Sequence, residues 1–438
     1  MGYGPREGRI QPLQLIRARK AGRSLFNIPR EYPGPVADLH DIVKAHEEWR
    51  LREALNLQAS ENVMSDAARS LLSTDFAHRY TLPDDLVPSL AGLKNAYRGT
   101  KHTDAVEELA ERHAREVFRS AFASLKPLSG HLAGFLLLQA CCKRGDRILV
   151  ISAAHGGYDG YMPGFLPEYL GLDVQFLPFD PRVWNVDPKA AADLIIETRP
   201  RLVLLGASFI LFPYNLRWLR GACDDVGTIL GYDASHVLGL IAGGEFQKPM
   251  LEGVDVLSAS THKSFPGPQG GLFLSNRKDV FDRAMGSFLW RIQDNAHWNR
   301  IAATAQVLRE MKEFGPAYAR QVVANSRVLA SQLDKWGFPV KFASQGYSAS
   351  HQIHVDVEAL KEKWSLGPAD FADRLEANNL IVDAVGRIGT AEITRMGATE
   401  EDMQAIAGLI VRASRGEDVR AEVAGARSRL RLSFAFPP

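Results

Sequence analysis

The sequence predicts an α/β protein, with a large domain on a mostly parallel sheet and a smaller α+β domain toward the C-terminus. Between residues 104 and 275, short and continuously apolar runs alternate with helical segments, the pattern of strands covered on both faces by crossover helices. Beyond residue 296 a long helical stretch gives way to two short strand-like runs and two further helices. The 438 residues, 46% hydrophobic and 24% charged, are ordinary globular composition and enough for two or three domains.

Taken in order, residues 1 to 35 carry scattered prolines (Pro5, Pro12, Pro29, Pro33 and Pro35) and read as an irregular exposed arm. Over residues 37–55, Leu39, Ile42, Val43, Trp49 and Leu51 fall near helical spacing. Helices are expected over 104–122, 131–142, 188–197 and 215–225. The expected strands are 147–151, 174–179, 202–206, 228–232, 254–258 and 271–274. The helical stretch 296–336 should be interrupted near Gly315-Pro316, because proline removes a backbone donor. Strands over 339–343 and 352–357 and helices over 369–377 and 400–413 complete the chain. The expected domains are an N-terminal arm and helix (1–60), a large domain (61–295), and a connecting helix with a small domain (296–438).

Several function classes are disfavoured at once. Lys and Arg total 52 against 51 Asp and Glu, so a net charge of +1 offers no global field for nucleic acid or an anionic membrane. No apolar run reaches the ~18 residues of a membrane span, and the basic N-terminus lacks the apolar core of a secretory signal. Cys141, Cys142 and Cys223 lie in apolar surroundings and read as buried, inert thiols of a reducing cytoplasm. His351 and His354 stand three apart on an expected strand, so they face opposite ways and do not chelate. No Cys/His spacing suggests zinc, and no metal is expected.

The chemistry begins where strands end. Gly231-Tyr232-Asp233-Ala234-Ser235-His236 closes an apolar run on an acid, at the strand edge where open α/β sheets bind ligands. Alone, such an acid reads as a helix cap or turn residue. The next strand runs into Ser260-Thr261-His262-Lys263, followed by a loop rich in glycine and proline that ends at Gly270-Gly271. A lysine in that position suits a Schiff base beside an anion nest. Pyridoxal phosphate needs these groups together: a lysine, a carboxylate for the pyridine nitrogen and a phosphate cradle.

At this point a family becomes recognisable. Gln58-Ala59-Ser60-Glu61-Asn62, Ser129-Gly130, His155-Gly156-Gly157, Asp233–His236 and Thr261-His262-Lys263 resemble serine hydroxymethyltransferase in order and spacing, from about residue 40 to 413. The resemblance implies a fold-type I pyridoxal-phosphate enzyme, a homodimer whose active sites are built from both subunits. It implies that Lys263 carries the cofactor as an aldimine, Asp233 pairs with the pyridine nitrogen, His155 stacks on the ring, and His236 contacts the ring oxygen or the substrate carboxylate. Ser129, Gly130 and His131 would meet the phosphate at a helix N-terminus. Ser208 and His262 join the cofactor contacts, and Gly270 and Gly271 would add backbone donors across the dimer. Tyr80 would come from the neighbouring subunit, and Tyr80 and Glu61 would act in catalysis and, with Tyr97, at the substrate. The segment Gly389–Gly397 resembles the family's carboxylate-binding stretch and makes Arg395 the expected guanidinium, with Arg387 as the alternative.

Three departures redirect the functional expectation. Leu82 stands where the family has a glutamate, and a general acid–base is typically worth ~10²–10⁴-fold. Asp84 and Asp85 lie nearby. Before Arg387, a folate-contacting loop of roughly a dozen residues is missing, leaving a connection of ordinary length. His131 replaces a small polar residue and is a phosphate ligand, a substrate contact or a proton donor. The amino-acid end of the site is retained while the pterin end is not. The expected activity is therefore folate-independent retro-aldol cleavage of a β-hydroxy-α-amino acid, or glycyl transfer to an aldehyde, as in specialised relatives of natural-product pathways. His155, Tyr80 or Glu61 would serve as the base for the β-hydroxyl. The alternatives are a PLP-dependent oxygenase-decarboxylase acting with O2 and, third, serine hydroxymethyl transfer itself. The partners expected are an amino acid and an aldehyde, with no nucleic acid and no membrane.

Overall fold

The computed structural model describes residues 38–81, 95, 97–288 and 291–437. The chain divides into a unit of Met1–Leu51 and a unit of Arg52–Pro438. In the first, helix α1 (Leu39–Glu48) is capped by Asp38, whose carboxylate accepts from the His40 N–H at 3.1 Å. Leu39, Ile42 and Val43 are exposed on it.

The second unit is organised by a seven-stranded sheet. Its strands are β1 (Phe122–Ser124), β2 (Arg147–Val150), β3 (Asp173–Phe176), β4 (Leu202–Gly206), β5 (Ile229–Asp233), β6 (Val256–Ser260) and β7 (Gly271–Ser275). They lie in the order β1-β7-β6-β5-β4-β2-β3. Every pairing is parallel except the two made by β7. Strands β4 to β7 are buried along their whole length, which is why their sequences are mostly apolar or small, with polar residues gathered toward their ends. The register sets Gly206 beside Asp233 and Asp233 beside Ser258, so β4, β5 and β6 end along one edge. That edge holds the site.

A second core gathers the C-terminal elements. Strand β8 (Gln352–His354) pairs antiparallel with β10 (Arg387–Gly389), setting His354 opposite Arg387. The two-residue β9 (Leu380–Ile381) pairs with Leu55–Asn56, and Leu55 and Leu57 join this second core. One helix, Trp298–Lys335, belongs to both cores, with Ile301 to Val323 in the first and Leu329 and Leu333 in the second. It runs unbroken through Pro316, against the expectation of an interruption. Proline forfeits only the bond to the Lys312 carbonyl, on an exposed residue where water can replace it. Gly315 seats the helix closely: a Cβ on Gly243 would stand 2.4 Å from the Gly315 carbonyl. The strand expected over 339–343 reduces to one bridge, Val340 with Val355, and a 3-10 turn at Ala343–Gln345. Among the described residues no helix is long and apolar enough to cross a membrane.

Candidate active site

Asp233 ends β5 and Lys263 follows β6 by three residues, so two adjacent parallel strands deliver an acid and an amine to the same edge. A small recess opens there, with Asp233, His236, Lys263, Ser208, His131 and Tyr158 in its wall. The Lys263 Nζ lies 3.3 Å from His236 Nε2. Burial pushes the lysine down to about 8, opposed by the Asp233 charge. His236 is held well below the usual histidine range by burial and by the Lys263 and Arg387 charges. One Asp233 oxygen accepts from the Ser235 N–H at 2.9 Å, and the other accepts from the Tyr161 hydroxyl at 2.6 Å.

Tyr161 was not singled out from the sequence. Its ring fits because two neighbours are glycines. A Cβ on Gly134 would stand 2.5 Å from its hydroxyl, and one on Gly206 2.7 Å from its ring. A glycine inside a helix and one at a strand end were the available signal, since both mark close approach.

At the other end of the recess, Ser129 caps the helix Gly130–Cys141 by accepting from the Leu132 N–H at 3.1 Å. A helix N-terminus with free N–H groups suits a phosphate. The turn is packed with no room for a side chain: a Cβ on Gly130 would lie 1.9 Å from Ser260 Oγ, and one on Gly271 2.3 Å from the Ser129 carbonyl. The Gly271 N–H already donates to the Pro127 carbonyl at 2.9 Å, and Gly270 is buried against Arg300 of the same chain. The pair is glycine because β7 must approach the Ser129 turn. His131 and Tyr158 face each other across 2.8 Å between Nδ1 and the hydroxyl. His155 stacks on Phe179 with ring centres 4.7 Å apart and sits outside the wall of the recess, its Nδ1 3.0 Å from Ser152 Oγ. His262 is held at about 4 by burial and the Lys263 charge, and its buried Nδ1 has no partner.

The substrate end differs from the sequence expectation in its arginine. Arg395 is fully buried, 2.5 Å from Glu310, and also donates to the Phe434 carbonyl. Glu310 in turn accepts from the Ser65 hydroxyl at 2.6 Å. Arg395 is therefore committed to a closed structural cluster and does not reach the recess, which corrects its assignment. Arg387 stands near the recess instead. It donates to Asp383 at 2.7 Å and to the Ser208 carbonyl at 2.7 Å, lies 4.7 Å over the Phe209 ring, and its charge acts on Lys263. Glu61 accepts from the Asn56 amide at 2.9 Å and acts on His262, but is not in the recess wall. Tyr80 and Tyr97 pack together at 5.6 Å on an exposed surface, away from the recess of this chain. The Tyr80 hydroxyl contacts Asp294, a hydrogen bond that pushes it up to about 12. Leu82, Asp84 and Asp85 lie outside the described residues.

These residues fit pyridoxal phosphate. A lysine lowered to about 8, a carboxylate on the neighbouring strand, a side-chain-free turn at a helix N-terminus and an imidazole with an unpartnered buried Nδ1 make a complementary set. Sheet and site together define a fold-type I pyridoxal-phosphate enzyme. The chain belongs to the serine hydroxymethyltransferase family, whose model matches residues 36–410, and pyridoxal 5'-phosphate is the cofactor. It is 38% identical to a serine hydroxymethyltransferase of Methanopyrus kandleri over 91% of this chain and 94% of that one. The corresponding enzyme of Pyrococcus furiosus is 36% identical over 85% of this chain and 89% of its own length. Among solved structures, an L-threonine transaldolase from Pseudomonas fluorescens in its internal aldimine state superposes with a TM-score of 0.79 at 24% identity. The match covers 91% of this chain and 93% of that one, and it is a likeness of fold.

Proposed function

We propose that the protein acts without folate on a β-hydroxy-α-amino acid, breaking or forming its Cα–Cβ bond and releasing or accepting an aldehyde. One observation carries this reading. The connection between β9 and β10 is only residues 382–386, and Asp383 closes it by accepting from the N–H groups of Val385 and Arg387 at 3.1 and 3.0 Å. A turn tied down in this way has no length left to wall a pterin. The transaldolase activity of the structural neighbour agrees with it.

In this reading Lys263 holds the cofactor, Asp233 faces the pyridine nitrogen, and the Ser129–Gly130 turn takes the phosphate. Arg387 takes the substrate carboxylate bidentately, a match of planar fork to planar acid. When bound, the cofactor supplies the electron sink for the Cα–Cβ electron pair. The β-hydroxyl proton must be taken within the recess, and the imidazole in its wall besides His236 is His131, backed by Tyr158. Burial raises Tyr158 to about 12, so its hydroxyl stays protonated and can donate. We also assign the homodimer and the crossing of Tyr80 and Tyr97 to this reading. Tyr80 lies in an exposed hollow shared with Leu128 and Leu132, which flank the Ser129 turn, and a second subunit seated there would gain the pair.

Hydroxymethyl transfer is the second reading, favoured by relatives of that name at 36–38% identity. Acetaldehyde release from L-threonine by the cofactor-loaded protein, with no folate present, separates the two. Release that quickens with an added acceptor aldehyde is expected. A protein that binds threonine yet releases nothing would rule threonine out as donor.

A further inference from the structure

The side chain of Gln352 is fully buried and meets four polar groups. Two of them are backbone groups whose roles are not negotiable. The Ile210 N–H can only donate, so the Gln352 oxygen faces it at 3.1 Å. The Ser208 carbonyl can only accept, so the Gln352 nitrogen faces it at 3.1 Å. The amide cannot be turned over without breaking both bonds. Its nitrogen therefore donates its second hydrogen to His236 Nδ1, 3.0 Å away, and that ring nitrogen must carry a lone pair. The remaining proton of a neutral imidazole is then on Nε2, the atom that faces Lys263 Nζ at 3.3 Å.

From this chain of contacts we infer that Gln352 is a positioning residue, which locks His236 as the Nε2–H tautomer and so presents a donor to the amine of Lys263. A donor cannot stabilise an ammonium, but it does hydrogen-bond the lone pair of a neutral amine. The lysine is thereby biased toward its nucleophilic form before any cofactor arrives. The groups surrounding His236 act the same way: Lys263, Arg387, His351 and His262 all disfavour an imidazolium. Gln352 lies on β8 of the second core, while Ser208, His236 and Lys263 lie at the edge of the main sheet. The small C-terminal sheet thus sets a proton position in the site. Its Arg387 reaches the same Ser208 carbonyl at 2.7 Å.

The tautomer stands independently of the proposed function, whereas its effect on cofactor attachment rests on Lys263 being the lysine that carries the cofactor. The test is nitrogen-15 NMR of the full-length apoprotein labelled at histidine, with His236 assigned by the signal lost in His236→Asn. We expect a protonated Nε2 and a bare Nδ1 at neutral pH. A protonated Nδ1, or an imidazolium, overturns the inference. In Gln352→Glu a carboxylate replaces the donor and draws the proton to Nδ1. Attachment of pyridoxal phosphate near pH 8 should slow about fivefold and recover at higher pH, as for a lysine whose pKa has risen by one. Gln352→Met keeps the volume and removes the lock, and should show mixed tautomers. A folded Gln352→Glu protein with the wild-type tautomer and attachment profile also overturns it. Covalent attachment persisting in Lys263→Ala would instead overturn the assignment of Lys263 and leave the tautomer standing.

Discussion

At the scale of residues, the two arginines show how far a motif can be read. A guanidinium beside a glycine has the right chemistry for a carboxylate, and the segment 386–397 holds two, Arg387 and Arg395. Only tertiary packing reveals that Arg395 is consumed by Glu310, a residue 85 positions away. The two variants should fail differently. Arg395→Met leaves the Glu310 charge buried and unpaired, at a cost of ~3–5 kcal/mol. A lowered Tm with little change in the kcat of the folded fraction is expected. Arg387→Lys also loosens the fork on Asp383 and the Ser208 carbonyl, so Tm should fall modestly, while KM for the amino acid rises roughly 10–100-fold, the loss of one charged hydrogen bond of ~1.5–3 kcal/mol. Equal KM effects in both would return Arg395 to the site. Asp233 and Lys263, by contrast, were legible, because a strand end followed by a short turn fixes where a side chain emerges. For Lys263 the sign is definite. Its folded value, about 8, lies below the 10.5 of a free lysine, so the folded chain binds fewer protons than the unfolded one between those values. The rate of cofactor attachment should rise with pH through about 8, and apoprotein stability should rise from about 8 toward 10.5. An attachment rate still climbing with its midpoint near 10.5 would show that burial does not depress the amine.

At the scale of elements, the strands were readable wherever both faces are buried. The run 202–206 matches β4, and its neighbours shift by two residues at most. Of the short elements, β8 was expected, over 352–357, but β9 and β10 were not, because at two and three residues they exist through pairing rather than propensity. The Gly271 contact shows what a single element contributes to the site. Gly271→Ala must push β7 or the Ser129 turn apart, since the new Cβ would lie 2.3 Å from a backbone oxygen. Cofactor should be lost on dialysis at concentrations where the wild type retains it. Retention equal to wild type would mean that the turn does not bear the phosphate. Gln352 and Tyr161 escaped the sequence reading for a related reason: each acts through a partner more than seventy positions away, and neither belongs to a recognisable motif.

At the scale of the whole molecule, the site depends on contacts that span the chain. Lys263 and Asp233 come from the main sheet, and Arg387 and Gln352 come from the second core. If Tyr80 serves a neighbouring subunit, mixing Tyr80→Phe with Lys263→Ala chains should restore activity, because one of the two hybrid sites then holds both residues intact. No recovery from a mixed, verified dimer would confine each site to one chain. The central claim, amino-acid chemistry without a pterin, is tested most directly by glycine formation from L-serine with and without tetrahydrofolate in one preparation. We predict slow formation that tetrahydrofolate leaves within about twofold, since Leu82 stands where the family has the glutamate worth ~10²–10⁴-fold and the connection 382–386 is short. Stimulation by tetrahydrofolate of a hundredfold or more would contradict the account and make the protein a hydroxymethyltransferase like its archaeal relatives.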